Sequence, residues 1–160
     1  MEPERTRTRY RVDPKMWQPR TGLPGITVRE VRPDDRGVLP ALLLDAYTGT
    51  IDDEDGTIDD AIEEVDNWFA GTALLAHSHI VVLEGEAVAA CLVDEYEDAP
   101  WLAYVFTSAS NKRRGLGRAA VDASMASLAA GGHRSAGLLI TDGNTGSEQI
   151  FAQATPTETR

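Results

Sequence analysis

Apolar stretches alternate with polar, turn-forming segments along this chain, and their spacing predicts the order of its helices and strands. Residues 25–31 alternate between apolar and polar side chains, which is typical of a half-buried strand. Pro33, followed by two aspartates, marks a first helix start. After an acidic loop at 51–56, Thr57 and Asp60 have the spacing of a capping box and predict a second helix. The apolar face of that helix consists of Ile58, Ile62, Val65 and Phe69.

Three continuous apolar runs in the middle of the chain predict strands that are covered on both faces. The runs are residues 80–83, 87–93 and 101–107, joined by turns at 84–86 and 94–100. A glycine-rich loop then begins a helix that reaches about Leu128 and ends at Gly131. A buried strand at 138–140 and a short helix at 144–152 follow. This order predicts an α/β fold, a mixed sheet with helices on both faces.

At 160 residues the chain is long enough for one domain with its own core. Residues 1–24 are polar, basic and proline-containing, so we expect a flexible basic extension before a domain at 25–160. No apolar run reaches the length of a membrane span, and the N-terminus has no apolar signal core. The predicted location is the cytoplasm.

The net charge of -11 is unevenly distributed. Residues 1–20 carry six Lys or Arg, whereas residues 37–111 carry sixteen Asp or Glu and no Lys or Arg. Nucleic acid and anionic membranes both require basic surface, so neither is an expected partner. The acidic stretch favours a cationic partner. The three histidines lack the spacing of a zinc site, so no metal is predicted.

The segment Lys112–Ala119 places two glycines among four cations at the start of a helix. Glycine allows close backbone approach, and free N–H groups with the helix dipole attract an anion. The segment therefore predicts a pyrophosphate cradle. A dinucleotide-binding G-x-G-x-x-A reading is weaker, because the loop 108–114 separates the first glycine from the strand. A glycine-rich helix start with exposed arginines is the plainest alternative.

The cradle and its flanking elements resemble the GNAT superfamily of acetyl-CoA-dependent N-acetyltransferases. The family motif Gln/Arg-x-x-Gly-x-Gly/Ala is matched by residues 112–117, with Lys112 keeping the charge but not the planar fork of arginine. The segment 138–144 is similar to the family strand that ends in an asparagine near the pantetheine arm. The resemblance implies a mostly antiparallel GNAT-like sheet and acetyl-CoA as co-substrate. The implied acetyl-CoA-binding residues are Phe106, Thr107, Lys112, Arg113, Arg114, Gly115, Leu116, Gly117, Arg118 and Asn144.

The resemblance also implies an activity, the transfer of an acetyl group to an amine by direct attack in a ternary complex. A protonated amine must lose its proton before it attacks, which requires a base or a water relay. The strand 101–107 carries no acid, so the base must come from the loop after the first helix or from the hairpin turn. Asp52 and Asp53 are the first candidates for this base. The other candidates are Asp45, Glu54, Glu95 and Glu97.

Two departures from the family pattern bear on activity and assembly. Phe151 stands where the family often has a tyrosine that protonates the leaving thiolate, which keeps open a catalytically weak or inactive acyl-CoA-binding module. The sequence pattern predicts none of the family's C-terminal strands after residue 152. The outer edge of the predicted strand at 138–141 would then have no partner. An uncovered edge favours a homodimer, while the N-terminal segment folding back over it is the less favoured alternative.

Overall fold

The computed structural model describes residues 6–20 and 22–159, which form one sheet flanked by helices. The strands are β1 (Arg7–Val12), β2 (Ile26–Glu30), β3 (His79–Leu83), β4 (Glu86–Tyr96), β5 (Ala99–Thr107), β6 (Ala136–Thr141) and β7 (Thr155–Thr159). The α-helices are α1 (Leu39–Tyr47), α2 (Ile58–Ala70), α3 (Leu116–Ala130) and α4 (Thr145–Ile150). The strand order is β2-β3-β4-β5-β6-β1-β7, in which β5 and β6 run parallel and the other neighbours antiparallel. The predicted mixed, mostly antiparallel fold is confirmed.

Each face of the sheet has its own hydrophobic core. On one face α3 packs against the strands through Leu116, Ala120, Val121, Met125 and Leu128. On the other face α1 and α2 contribute Leu39, Leu42, Leu43, Ala46, Ala61, Val65 and Trp68. The strands are therefore covered on both sides, which explains why their sequences are continuously apolar. No helix in the described part of the chain is both long and apolar enough to cross a bilayer.

The expected flexible extension is wrong for residues 7–12, because they form β1. This strand pairs antiparallel with β6, from Arg7 opposite Thr141 to Val12 opposite Ala136. Its sequence alternates arginines with Thr8, Tyr10 and Val12. Thr8 and Val12 are buried and Tyr10 is half-buried, so β1 follows the period-two pattern of a strand covered on one face.

The segment after β1 is attached to α3 by a buried tryptophan. Trp17 is 6% exposed, and its Nε1 donates to Asp122 Oδ1 at 2.7 Å. The Arg118 guanidinium lies 4.7 Å from the Trp17 ring centre and donates to the Gln18 carbonyl at 2.6 Å. These contacts fix the N-terminal segment beside α3 and bring β1 to the sheet.

The predicted absence of C-terminal strands is also wrong. Strand β7 pairs with β1, and β1 in turn covers the edge of β6 that was expected to be exposed. The less favoured alternative, an N-terminal segment folding back, is the one observed. The argument for a homodimer from an uncovered edge at 138–141 therefore loses its basis.

A buried histidine makes the stability of this core dependent on pH. His79 is 8% exposed, its Nδ1 lies 3.0 Å from Ser124 Oγ, and burial lowers its pKa. The pKa of His79 is lower in the folded protein than the value of about 6.5 in the unfolded chain. The free energy of unfolding is therefore highest above pH 6.5 and falls as the pH drops from about 6.5 through the lower pKa of the folded state. We expect urea unfolding to give a lower free energy at pH 5.5 than at pH 7.5, and His79→Gln to reduce this difference. An unchanged difference in the variant would contradict the assignment.

Candidate active site

The loop between β5 and α3 forms a tight cradle because two glycines occupy positions that other residues would strain or block. Gly115 precedes α3 with φ of 78°, in the left-handed region that favours glycine. A Cβ added at Gly117 would lie 2.8 Å from Thr107 Oγ1, so the first turn of α3 packs directly on the end of β5. The first N–H groups of a helix have no partners within the helix and can bind an anion. The predicted cradle therefore fits a pyrophosphate group.

The cations around the cradle have different partners. Lys112 Nζ donates to the Ala46 carbonyl at 2.6 Å, and Arg114 donates to Asn111 Oδ1 at 2.8 Å. The Arg118 guanidinium donates to Asp122 Oδ1 and to the Gln18 carbonyl, so its side chain also connects α3 to the N-terminal segment.

The cradle lies at a cavity of ≈ 880 Å³, which we call the glycine-loop cavity. Nine of the ten predicted acetyl-CoA-binding residues line it, and Arg114 is the exception. Asn144 is the N-cap of α4, where its side chain accepts a hydrogen bond from the Ser147 N–H. The loop, the end of β5 and the start of α4 thus surround one space.

A second cavity of ≈ 910 Å³, the acidic cavity, lies between the α1–α2 side of the sheet and β6. It is lined by seven carboxylates, Asp52, Asp53, Glu54, Asp60, Glu64, Asp94 and Glu95. Arg7 is the cation among the described residues that line it. This arrangement favours a positively charged ligand.

The two cavities meet where β5 and β6 separate. These strands are in register at Trp101 and Gly137, where a Cβ on the glycine would lie 2.7 Å from the indole. After this paired position, residues from both strands line the acidic cavity. The residues shared by the two cavities are Tyr47, Asp52, Val105, Asn144 and Ser147.

Asp52 lies at this junction and is held in place by two hydrogen bonds. Its Oδ1 accepts from Thr141 Oγ1 at 2.6 Å, and its Oδ2 accepts from Asn144 Nδ2 at 2.9 Å. The carboxylate therefore lies next to both spaces in a fixed orientation. Asp53 has a different environment, since its carboxylate accepts from the Gly49 and Asp55 N–H groups and stabilises the loop. Of the two predicted candidates, the structure places only Asp52 between the cavities.

Asp94 lines the acidic cavity at a position where the sequence pattern predicts a turn. Strand β4 continues to Tyr96, which places Asp94 opposite Trp101 in the sheet. Within the described residues its Oδ1 has no hydrogen-bond partner, and burial raises the pKa of Asp94 to about 6. The sequence does not predict that the strand continues beyond Val93, because acidic residues there interrupt the apolar pattern.

Two phenols in the acidic cavity stay protonated over the physiological pH range. Burial and the carboxylates of Asp52 and Glu64 raise the pKa of Tyr47. Burial and Glu64 raise the pKa of Tyr104. Both side chains therefore keep their hydroxyl protons. Phe151, which also lines this cavity, is 2% exposed and packs with its ring centre 6.0 Å from that of Trp17.

No protein-family model and no curated protein matches this sequence, but solved structures have a similar fold. A GCN5-related N-acetyltransferase from Sphaerobacter thermophilus has a TM-score of 0.76 and 17% identity, covering 99% of this chain and 50% of that one. Another from Kribbella flavida has a TM-score of 0.63 and 22% identity, covering 98% and 56%. The PaiA N-acetyltransferase from Thermoplasma acidophilum, solved in complex with coenzyme A, has a TM-score of 0.62 and 12% identity, covering 80% and 87%.

This chain spans about half the length of the Sphaerobacter and Kribbella structures. At identities between 12% and 22% these similarities establish the fold alone, and this chain has the fold of these N-acetyltransferase structures, as the resemblance in its sequence predicted.

Proposed function

We propose that this chain is an acetyl-CoA-dependent N-acetyltransferase that transfers the acetyl group directly to an amine in a ternary complex. The observation that carries the proposal is that the glycine-loop cavity and the acidic cavity share Asp52 as a lining residue. A co-substrate bound by its phosphates on one side and an ammonium recruited on the other would place their reacting ends at this junction.

On the cofactor side, the chain offers donors for a pyrophosphate. The N–H groups at the start of α3 and the side chain of Arg113, which lines the glycine-loop cavity, would hold its oxygens. Asn144 would lie beside the pantetheine arm. Acetyl-CoA supplies the acetyl thioester, and main-chain N–H groups near Thr107 would stabilise the oxyanion that develops on its carbonyl.

On the acceptor side, the carboxylates of the acidic cavity would recruit a cationic amine. Asp52, directly or through water, would accept the proton that the ammonium must lose. The neutral nitrogen then attacks the thioester carbon, and the C–S bond breaks as the amide forms. The CoA thiolate leaves and takes a proton from water or from another group, because Phe151 has none to give.

Turnover with a panel of amines tests this function. Release of free CoA thiol is measured with acetyl-CoA and diamines, basic peptides, neutral amines and acidic amino acids. We expect turnover with cationic acceptors, decreasing as ionic strength rises, because exposed charge attraction is screened within about 10 Å at 0.1 M salt. CoA binding without turnover for any amine would favour the inactive acyl-CoA-binding module, for which Phe151 is the supporting observation. Failure to bind CoA would reject both functions.

Phe151→Tyr tests whether the missing phenol limits the reaction. A thiol with a pKa of about 8.5 is a tolerable leaving group without an acid, so we expect kcat to change by about tenfold or less. The affinity for CoA should stay the same, which calorimetry checks. Activity that appears only in the variant would show that the natural chain is an inactive relative.

A further inference from the structure

Lys112 connects the cofactor loop to the helix that precedes Asp52. Its Nζ donates to the Ala46 carbonyl at 2.6 Å, one residue before the end of α1. The last carbonyls of a helix have no partners within the helix and carry partial negative charge. The ammonium of Lys112 therefore stabilises the C-terminal end of α1 from a position 66 residues away in sequence.

A neighbouring contact fixes the same two segments. Asp45 Oδ2 accepts a hydrogen bond from the Ala109 N–H at 2.8 Å. Adjacent residues at the end of α1 thus hold the loop 108–114 at two points. The two hydrogen bonds therefore connect the position of the loop to that of the end of α1.

The end of α1 leads directly to the catalytic candidate. Tyr47, its last residue, lines both cavities, and the segment 48–57 follows. That segment carries Asp52, whose side chain bonds Thr141 and Asn144 on the far side of the junction. The segment therefore connects the end of α1 with Thr141 and Asn144, and its position depends on α1 and on the two bonds of Asp52.

A lysine can take part in two such contacts at once. The ammonium has three N–H donors, of which one is used by Ala46, and Lys112 also lines the glycine-loop cavity. We propose that Lys112 is a positioning residue that bridges the bound pyrophosphate and the end of α1, so that cofactor binding orders the segment 48–57. The inference rests on the proposed function, because it requires CoA to bind at the cradle.

Hydrogen exchange with CoA as the probe tests the inference without a known acceptor. Exchange of the amides in residues 48–57 is measured with and without saturating CoA. Couplings between sites are typically worth 5–150-fold, so we expect CoA to slow exchange in the natural chain by about fivefold or more. In Lys112→Met the slowing should disappear at a CoA concentration that saturates the variant, and in Lys112→Arg at least part of it should remain.

Arg113→Met is the matched control, because Arg113 is the neighbouring cation that lines the same cavity, whereas the bond to the Ala46 carbonyl comes from Lys112. This variant should bind CoA more weakly yet show the full slowing at saturation. Lys112→Gln repeats the test with a shorter neutral side chain, and thermal unfolding confirms that each variant is folded. Equal slowing in Lys112→Met and the natural chain, or CoA binding with no slowing in the natural chain, would overturn the inference. If calorimetry detects no CoA binding by the natural chain, the proposed function fails first.

Discussion

Gly115→Asp should lower the affinity for CoA by about a hundredfold, because a charge-assisted phosphate hydrogen bond is worth about 1.5–3 kcal/mol and repulsion adds to its loss. Gly115 lines the glycine-loop cavity with φ of 78°, directly before the first N–H groups of α3. A carboxylate there would repel the pyrophosphate and compete with it for these N–H groups. Calorimetric titration of the folded variant with CoA measures the effect.

Gly115→Asn is the matched control for this substitution. Asparagine and aspartate have the same shape, and both tolerate the left-handed conformation better than other residues with a side chain. The neutral variant should therefore lose only the part of the affinity that is due to shape, a few-fold. Equal losses in the two variants would show that shape and not charge lowers the affinity, which would contradict the expected repulsion of the phosphates.

Gly117→Asp should weaken CoA binding for a steric reason as well. The added Cβ would lie 2.8 Å from Thr107 Oγ1, so either the Thr107 side chain or the start of α3 must shift. Gly117→Ala separates the steric effect from the charge. Unchanged CoA affinity in both aspartate variants would reject the assignment of the cradle.

Asp52→Asn should reduce kcat by about 10²–10⁴-fold, which is the usual contribution of a general acid or base. Asparagine retains the shape of the carboxylate and can still accept from Thr141 or Asn144, so the loop should keep its position. The affinity for CoA should change little. Steady-state kinetics over pH 6–10 checks the prediction, and the reduced rate of the variant should recover as the amine loses its proton in solution at high pH.

Asp53→Asn is the control for this experiment. The Asp53 carboxylate lines the acidic cavity but accepts hydrogen bonds from Gly49 and Asp55 within its own loop. Its substitution should therefore lower the free energy of unfolding and change kcat little. A large loss of kcat in Asp53→Asn with normal turnover in Asp52→Asn would reverse the assignment of the base.

The sequence by itself determined the features that depend on short-range chemistry. Thr57 and Asp60 form the predicted capping box, and α2 starts where they place it. The glycine loop begins α3 as predicted. Its conformation needs residues without a Cβ at positions 115 and 117, so the two glycines identify it in the sequence. The continuous apolar runs correctly predicted strands covered on both faces.

Long-range partners decided the roles of the charged residues. Lys112 and Arg118 fit an anion-binding motif in sequence, but their bonds to Ala46 and Gln18 join segments 66 and 100 residues apart. Asp52 and Asp53 are adjacent and chemically identical, and only the position of β6 makes one of them reach Thr141 and Asn144. Local patterns contain no information about such contacts.

The edges of the sheet required the tertiary structure for the same reason. The alternation in β1 is present in the sequence, yet three arginines and the prolines that follow it suggested an extension. Trp17 and Arg118 hold this segment beside α3, which brings β1 to β6 and gives β7 a partner. A strand is stabilised by pairing with its neighbours, so residues 7–12 and 155–159 became strands only once the chain had brought them together.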